Sequence, residues 1–262
     1  SISFPRLLTQ PYSRAVVSFP FCICPFPPLF TPLQSLVFPS LHTTRSPFLL
    51  DSSTMPSYKL TYFDGRGRGE VARQLFHLAD VPFDDHRIPM ADWPAIKPEI
   101  LFHKLPILEV DGQKLTQSFA INRYLANEFG FVADSAFDSA WVDAIADQHK
   151  DYYEEIFPAF AVLAGFEPGD KEKLIKEVAI PARDKYFGLL EKLLTEETEP
   201  TGHFVGSTLT WVDLLIADHV DTLLKYLPGF LDNFPTVLET VKMIESMPKL
   251  KEWIDKRPIS SF

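Results

Sequence analysis

The sequence predicts an α/β domain followed by an all-α domain. Between residues 55 and 130, short apolar runs with the alternation typical of β-strands take turns with segments of helical periodicity. Over residues 137–262 the apolar residues recur at helical spacing and no strand pattern is found. Residues 131–136 are interpreted as the linker between the two domains. Residues 1–54 share neither pattern.

The first domain is expected to contain a small sheet and several helices. Tyr58–Phe63 alternates and is rich in β-forming residues, so it predicts the first strand. Asp111–Gly112 is a hairpin turn signal that joins two later strands. The predicted elements in chain order are strand 58–63, a helix through Val71 and Ala79, strand 83–88, a proline-punctuated stretch with a short helix at 89–102, strand 105–110, strand 114–116 and helix 117–129.

The second domain is expected to consist of helices. A long first helix begins near Phe137 and passes Ile156. Pro158 and Pro181 should end or kink the helices in which they fall, because proline lacks the amide hydrogen and its ring clashes with the preceding turn. Thr210 to Asp213 has the spacing of a capping box, which marks a helix start and carries no chemistry of its own. Further helical patterns cover 170–195, 210–227, 235–247 and 249–256.

Residues 1–54 are rich in Pro, Phe, Ser and Leu and carry few charges. The prolines between residues 20 and 47 forbid a long helix or a central strand. A transit peptide would be similarly poor in acidic residues but should form an amphipathic helix, and a secretory signal needs an uninterrupted apolar segment. We favour a third interpretation, in which this segment is translated upstream sequence, Met55 is the functional start, and residues 1–54 are disordered or loosely attached.

The composition excludes several classes of function. The formal net charge is −10, so no basic stripe is available to bind nucleic-acid phosphates. No apolar run approaches the ~18–20 residues needed to span a bilayer, and no membrane partner is expected. Because Cys22 and Cys24 are the only cysteines, the two domains hold no disulfide scaffold, thiolate metal site or CxxC redox motif. Sulfur chemistry in the domains must therefore come from a bound small molecule.

Several motifs together make the chain similar to a known family. They are Tyr58–Phe63, Arg66–Glu70, Ala91–Lys97, Lys104–Leu108, Gln117–Ser118, Val142–Ile145 and Trp253–Pro258. With these motifs the chain resembles the sigma class of cytosolic glutathione S-transferases, above all the nematode branch and the related glutathione-dependent prostaglandin D synthases. The resemblance implies a thioredoxin-like N-terminal domain, an all-helical C-terminal domain and a cytoplasmic homodimer. It also implies detoxification, in which the thiolate of glutathione is joined to hydrophobic electrophiles.

The resemblance assigns the central catalytic role to Tyr62. Glutathione is a thiol whose pKa is near ~8.5, so it is mostly protonated at neutral pH, whereas the thiolate is the reactive form. A phenol hydroxyl that donates a hydrogen bond to sulfur stabilises the anion, and Arg68 is implied as the supporting positive charge. From the pattern alone, Tyr62 is a tyrosine at a strand end, and Tyr58 shares its face of the strand.

Two further motifs are implied to bind the main chain and the γ-glutamyl end of glutathione. The Leu105–Pro106 bond is expected to be cis, which turns the amide and carbonyl of Leu105 outward to pair with the cysteinyl part. The pattern alone also fits an ordinary edge-strand proline. Gln117 and Ser118 precede a helix whose free amides form a carboxylate site, although as a bare pattern they are only a helix cap.

The remaining implied contacts involve long or charged side chains. Trp93, Lys97 and Lys104 would hold the glycyl end of glutathione, and Asp151 would reach the glutathione amino group bound by the partner subunit of a dimer. Without the resemblance, an isolated Trp is more often part of a core, and Lys and Asp are more often solvated surface residues.

Two positions depart from the prostaglandin D synthases. Lys150 stands where the vertebrate enzyme has an acidic, metal-associated residue, and no tryptophan lies near Pro158. We therefore expect no metal effect and no cofactor, with glutathione as a substrate. Prostaglandin isomerisation and non-catalytic carriage of haem or other hydrophobic compounds stay as alternatives. Candidates for an apolar second site, of which most at helical spacing would be core, are Tyr152, Phe157, Phe160 and Phe262.

Overall fold

The computed structural model describes residues 55–197 and 201–260. The extension 1–54 and the second-site candidate Phe262 lie outside the described residues, so the expectations for them stay predictions. Among the helices of the described ranges, none is long and apolar enough to cross a membrane.

The first domain contains a four-stranded mixed sheet. The strands are β1 (Tyr58–Phe63), β2 (Asp84–Ile88), β3 (Ile107–Val110) and β4 (Gln113–Thr116), in the order β2-β1-β3-β4. β1 pairs with β2 in parallel, and the other two pairs are antiparallel. β3 starts two residues later than predicted, because Pro106 has no amide hydrogen to give to the ladder.

The helices of the first domain complete its hydrophobic core. They are α1 (Glu70–Leu78), the short α2 (Trp93–Ile96) and α3 (Ser118–Phe129). Leu75 of α1 and Ile121 and Leu125 of α3 are fully buried with Leu60 and Leu108 of the sheet. α3 ends at Gly130, whose positive φ of 81° suits glycine and stops the helix. The amphipathic helices α1 and α3 thus pack against the sheet and share its core.

The second domain is all-helical, as predicted. Its first helix, α4, begins at Ala136 because the Ser135 hydroxyl accepts a hydrogen bond from the Asp138 amide at 3.0 Å. Pro158 was expected to end or kink α4; the helix does not end there but continues to Leu163. The helices are α4 (Ala136–Leu163), α5 (Lys171–Leu174), α6 (Ile180–Lys192), α7 (Trp211–Tyr226), α8 (Pro235–Glu245) and α9 (Pro248–Lys256).

Both prolines are accommodated by their positions in the helices. Pro158 lies on the exposed side of α4, where solvent can satisfy the carbonyl that loses its partner. Pro181 is the second residue of α6 and follows a π-helical turn at Ile175–Ala179. The wider turn therefore falls where the proline could not have donated an α-helical hydrogen bond.

A buried carboxylate anchors the start of α7. Asp213 accepts hydrogen bonds from the Thr210 amide at 2.7 Å, the Thr210 hydroxyl at 2.8 Å and the Phe204 amide at 2.8 Å. The predicted capping box is present, and Asp213 is completely buried. Its second oxygen also ties the preceding loop to the helix, which the sequence pattern did not indicate.

A network of buried charges joins the two domains. Arg66, in the loop after β1, binds Asp218 at 3.2 Å, Asp221 and the Thr222 hydroxyl at 2.6 Å, all on α7. Arg257, after α9, binds Asp218 at 3.0 Å and Asp221 at 3.0 Å from the other side.

The same network reaches α1 of the first domain. Glu70 is 1 % exposed and accepts from Arg257 at 3.1 Å and from the Trp253 indole at 2.7 Å. Burial, together with the neighbouring Glu70 charge, raises the pKa of Asp218 to about 6 against the opposing effect of the two arginines. The network therefore fixes the loop after β1 against the helical domain, at a cost in desolvation.

We expect replacement of Asp213 by alanine to lower the free energy of unfolding by about 3 kcal/mol, because three buried donors lose their acceptor. Chemical denaturation of the full chain measures this change. The control is Asp134→Ala at an exposed loop position, which should cost less than about 0.5 kcal/mol. Equal losses in the two variants would contradict an anchoring role for Asp213.

Candidate active site

A cleft of about 830 Å³ opens between the two domains. The loop after β1, the segment before β3 and the start of α3 form one wall, and α4 and α7 form the other. Most of the predicted site residues lie on this one surface. Those that line it are Tyr62, Arg68, Trp93, Lys104, Leu105, Gln117 and Ser118.

Tyr62 is the second-last residue of β1, and it is 7 % exposed at the cleft. Its hydroxyl oxygen accepts a hydrogen bond from the Arg68 amide at 3.0 Å. Burial raises the pKa of Tyr62 to about 12, an effect that the Arg68 amide and charge only partly oppose. The phenol therefore keeps its proton at neutral pH and can donate it to a ligand in the cleft. It is suited to be a hydrogen-bond donor and not a base.

The ring of Tyr62 has no room to move toward the loop. A Cβ atom at Gly69 would lie 2.7 Å from two atoms of that ring, far inside van der Waals contact. Behind the ring, the guanidinium of Arg73 lies 5.8 Å from its centroid. Glycine is thus required at position 69 because the backbone there lies too close to the Tyr62 ring for any side chain. The sequence motif did not reveal this reason.

Arg73 was not identified from the sequence, although it is fully buried and holds the loop after β1. It donates to the Gly65 carbonyl at 2.6 Å and to the Phe63 carbonyl at 3.3 Å. It also binds Asp85 of β2 at 3.0 Å. Its position in the helical pattern of α1 predicts only a solvated arginine, since charged residues are rarely fully buried without partners.

Arg68 contacts Tyr62 through its main chain and a different residue through its side chain. Its guanidinium carbon lies 5.0 Å from the centroid of Tyr153, as in a cation–π contact. Burial raises the pKa of Tyr153, and the Arg68 charge opposes that rise. Arg68 thus brings one positive charge to the cleft between two neutral phenols.

The start of α3 has the geometry of an anion site. Gln117 adopts φ 72° and ψ 113°, a backbone conformation that residues other than glycine rarely take. Such strain is typical of ligand-binding positions. It is followed at once by the buried Ser118, the first residue of a helix of 12 residues whose first amides lack partners within the helix.

Residues before β3 complete this half of the cleft. The Leu105–Pro106 bond is cis, and Leu105 lines the cleft. The Trp93 ring packs edge-to-face on Phe63 with centroids 5.3 Å apart. Lys104 lines the cleft, whereas the exposed Lys97 does not.

Asp151 lies on α4 outside the cleft of its own chain. It is exposed and accepts a hydrogen bond from the Gln148 amide group at 3.4 Å. The acidic residue of α4 that lines the cleft is Asp147, one turn earlier. The predicted role of Asp151 toward a partner subunit stays a prediction, because a single chain is described.

The other half of the cleft is largely aromatic. Of the second-site candidates, Phe157 and Phe160 line it, and Tyr152 instead belongs to the core with its ring stacked on Tyr186 at 4.4 Å. Sequence reasoning missed further lining residues in this half, because helical spacing does not distinguish a cleft from a core. They are His149, Tyr153, Phe166 and His219.

No group of three metal-ligating side chains converges within the ranges that the structure describes. The expectation of a reaction without metal or cofactor stays a prediction.

Comparison with known proteins identifies the family. A model of the glutathione S-transferase N-terminal domain matches residues 58–127, and a model of the C-terminal domain matches residues 147–257. Glutathione S-transferase 1 of Ascaris suum is 48 % identical over 204 residues, which cover 78 % of this chain and 98 % of that protein. The chain belongs to the glutathione S-transferase family. The predicted thioredoxin-like and all-helical arrangement is confirmed by the same comparison.

Solved nematode structures are similar over most of the chain. A Nu-class glutathione transferase from Haemonchus contortus is 46 % identical with a TM-score of 0.72, and the match covers 79 % of this chain and 100 % of that one. A protein described as the monomeric glutathione transferase 3 of Necator americanus is also 46 % identical, with a TM-score of 0.75 and the same coverage. A rat prostaglandin D synthase bound to a quinoline is 32 % identical with a TM-score of 0.70, over 79 % of this chain and 100 % of that one.

We expect Gly69→Ala to lower the rate of glutathione conjugation by roughly 100-fold, because the added methyl group displaces the Tyr62 ring. Steady-state kinetics with a dinitrobenzene electrophile measures the loss. The matched control is Gly188→Ala on α6, where an added Cβ meets nothing within 4 Å. An unchanged rate in Gly69→Ala would contradict the packing constraint on Tyr62.

Proposed function

We propose that the cleft carries out the reaction of this glutathione transferase, with the sulfur of glutathione held at Tyr62. The observation that supports it most is the state of the Tyr62 hydroxyl. Its oxygen is occupied by the Arg68 amide at 3.0 Å and its proton stays on at neutral pH, so the proton is free for a thiolate in the cleft.

The chemical requirement on the site is moderate. Lowering a thiol pKa of ~8.5 by two units needs about 2.7 kcal/mol of preferential binding of the thiolate. A preorganised hydrogen bond to an anion, in a partly buried site with the Arg68 charge nearby, is of that order. The thiolate then attacks the electrophile directly, and the enzyme forms no covalent bond.

The rest of glutathione fits the polar half of the cleft. We assign its cysteinyl main chain to Leu105 and its γ-glutamyl carboxylate to Gln117, Ser118 and the first amides of α3. We assign the glycyl end to Trp93, Lys97 and Lys104, of which Trp93 and Lys104 line the cleft. Pro106 shapes the turn beside Leu105. These assignments are supported by the shared surface and by the anion-binding character of a helix N-terminus.

The aromatic half of the cleft suits a hydrophobic electrophile. Phe157 and Phe160 line it beside Tyr153 and Phe166, although the same wall also carries the charged residues Asp147, Lys150 and Asp218. Conjugation of hydrophobic electrophiles, and with it detoxification, is the function that this geometry supports best. The protonated Tyr62 hydroxyl, which can donate a hydrogen bond to sulfur, favours catalysis over ligand carriage alone.

We further propose that the protein belongs with the sigma-class enzymes of nematodes and acts in the cytoplasm. The nematode structures at 46 % identity, against 32 % for the rat prostaglandin D synthase, support the nematode branch. Subcellular fractionation with an antibody to the chain tests the location, and enrichment in a membrane or organelle fraction would overturn it.

We expect Tyr62→Phe to lower kcat/KM by roughly 100-fold and to raise the apparent pKa of bound glutathione toward ~8.5, since the donor to the thiolate is lost. The pH profile of conjugation and the thiolate absorbance of the complex measure both effects. The wild-type profile rises through the thiol pKa alone, because Tyr62, with its pKa of about 12, does not titrate in that range.

The matched control for this experiment is Tyr58→Phe. Tyr58 shares the strand face but packs edge-to-face on Phe76 at 5.2 Å, away from the cleft. It should keep wild-type activity. Undiminished activity in Tyr62→Phe would overturn the assignment, and glutathione binding without any conjugation by the wild type would favour the ligand-carrier alternative.

We propose that the protein forms a homodimer in which Asp151 reaches the glutathione of the partner subunit. The exposed position of Asp151 outside its own cleft supports this. We expect Asp151→Ala to raise KM for glutathione several-fold, whereas Glu154→Ala, exposed on the same helix, should not. A monomer in analytical ultracentrifugation at assay concentration would contradict the dimer, as would equal effects of the two variants.

A further inference from the structure

One buried side chain in the wall of the cleft lacks hydrogen-bond partners in the described part of the chain. Asn122 of α3 is 1 % exposed and lines the cleft. Neither its amide oxygen nor its amide nitrogen is hydrogen-bonded to any residue that the structure describes. Burying a donor or an acceptor without a partner costs free energy, so folded proteins rarely keep such groups without a reason.

The position of Asn122 distinguishes it from the other unpartnered groups. Across residues 55–197 and 201–260, buried nitrogens without a partner or a buried oxygen without one also occur in four residues outside the cleft, namely Arg66, Gln74, His77 and His203. Each of these has one such atom, whereas Asn122 has two. A ligand of the cleft is therefore the partner that explains both atoms of Asn122.

Asn122 lies one helical turn beyond the anion site at the start of α3. It follows Ser118 by four residues, so the two side chains share one face of the helix, with about 6 Å between their positions along the axis. Side chains of a helix lean toward its N-terminus, which directs Asn122 back toward Ser118 and the free amides of the first turn. Because both residues line the cleft, the amide side chain and the helix terminus belong to one surface.

The neighbours of Asn122 on the helix are engaged elsewhere. Arg123 donates through Nε to Asp143 at 2.8 Å, and its guanidinium carbon lies 5.7 Å from the centroid of the Trp211 ring. Phe119 packs against the same indole with centroids 5.7 Å apart. Asn122 is thus a polar group beside aromatic rings, where a hydrogen bond to a ligand is electrostatically stronger than in water.

The two unpartnered atoms specify the chemistry of the ligand. A side-chain amide offers an acceptor at its oxygen and a donor at its nitrogen. The γ-glutamyl end of glutathione carries an α-ammonium, which only donates, next to an α-carboxylate, which only accepts. One asparagine can therefore bind both charged groups, whereas a lysine or an aspartate in the same place would attract one group and repel the other.

We propose that Asn122 is a specificity-determining residue that binds the γ-glutamyl end of glutathione as a zwitterion. The amide oxygen accepts a hydrogen bond from the α-ammonium, and the amide nitrogen donates to the α-carboxylate, which Ser118 and the first amides of α3 hold from the other side. The ammonium keeps further N–H donors for Asp151 of the partner subunit. This inference rests on the proposed function, because it takes glutathione as the ligand of the cleft.

A partner that arrives only with the ligand makes Asn122 unfavourable in the free protein. We expect Asn122→Leu, tested in the full chain, to raise the melting temperature without ligand by a few degrees, because a buried amide without partners is removed. The same variant should raise the Kd for glutathione roughly 10- to 100-fold. At saturating glutathione, kcat and the apparent pKa of the bound thiol should stay unchanged, since Asn122 does not contact sulfur. Asn122→Ala, which cannot overpack the site, should lose the same affinity.

Two truncated tripeptides test the zwitterion directly. Glutaryl-cysteinylglycine lacks the α-ammonium, and 4-aminobutyryl-cysteinylglycine lacks the α-carboxylate. We expect the wild type to bind each of them roughly 10- to 100-fold more weakly than glutathione in isothermal titration calorimetry. Asn122→Leu should discriminate against both by about 5-fold less, because part of the lost contact is already absent from the variant.

The matched control is Gln74→Met on α1, which removes another buried amide, 2 % exposed and with an unpartnered oxygen, outside the cleft. It should leave glutathione binding within about 2-fold of the wild type. Unchanged affinity in both Asn122 variants, full discrimination by Asn122→Leu against the two analogues, or an equal loss in Gln74→Met would overturn the inference while conjugation at Tyr62 stands. Failure of the wild type to bind glutathione would overturn the proposed function as well.

Discussion

The geometry of the cleft depends on the ion pairs between Arg66 and the two carboxylates of α7, Asp218 and Asp221. Arg66 lies in the loop that carries the Arg68 amide, and that amide is the hydrogen-bond partner of Tyr62. The helical domain therefore sets the position of a main-chain group in the other domain. Buried ion pairs add little net stability, because desolvation offsets their attraction, but loss of one partner leaves an uncompensated charge. Their contribution here is to fix one arrangement of the loop.

A second arginine holds the same loop from inside the first domain. Arg73 of α1 binds two of its carbonyls, at Gly65 and Phe63, and lies behind the Tyr62 ring. Together, Arg66 and Arg73 fix the loop from opposite sides, and the contact between Gly69 and the ring removes the remaining freedom. A tyrosine at a strand end becomes a positioned donor only because of these supports, none of which touches the ligand site directly.

The sequence predicted the parts of the molecule that local rules decide. The strand at Tyr58–Phe63, the cap at Thr210 and the helix after Gln117 each follow from neighbouring residues. The long-range pairs were not predictable in this way: Arg66 and Asp218 are 152 positions apart, and Trp253 and Glu70 are 183 apart. Pro158 shows the opposite failure. A strong local rule predicted a helix end or a kink, but Ile156 and Phe160 are buried on either side of Pro158, and their packing keeps α4 helical past it.

The site residues follow the same division. The sequence motifs identified Tyr62, Leu105 and Ser118, which line one surface in the structure. They could be identified because each lies beside the boundary of a helix or strand that the sequence pattern marks. His149 and His219 could not be found, since on α4 and α7 they have the spacing of core residues and their partners lie on other turns and helices. Burial raises the pKa of Tyr62 and Tyr153 and lowers that of both histidines, so these two phenols and two imidazoles of the cleft are neutral near pH 7. None of the four brings a charge to the sulfur. The thiolate is therefore stabilised by the preorganised hydroxyl of Tyr62 and by the nearby charge of Arg68.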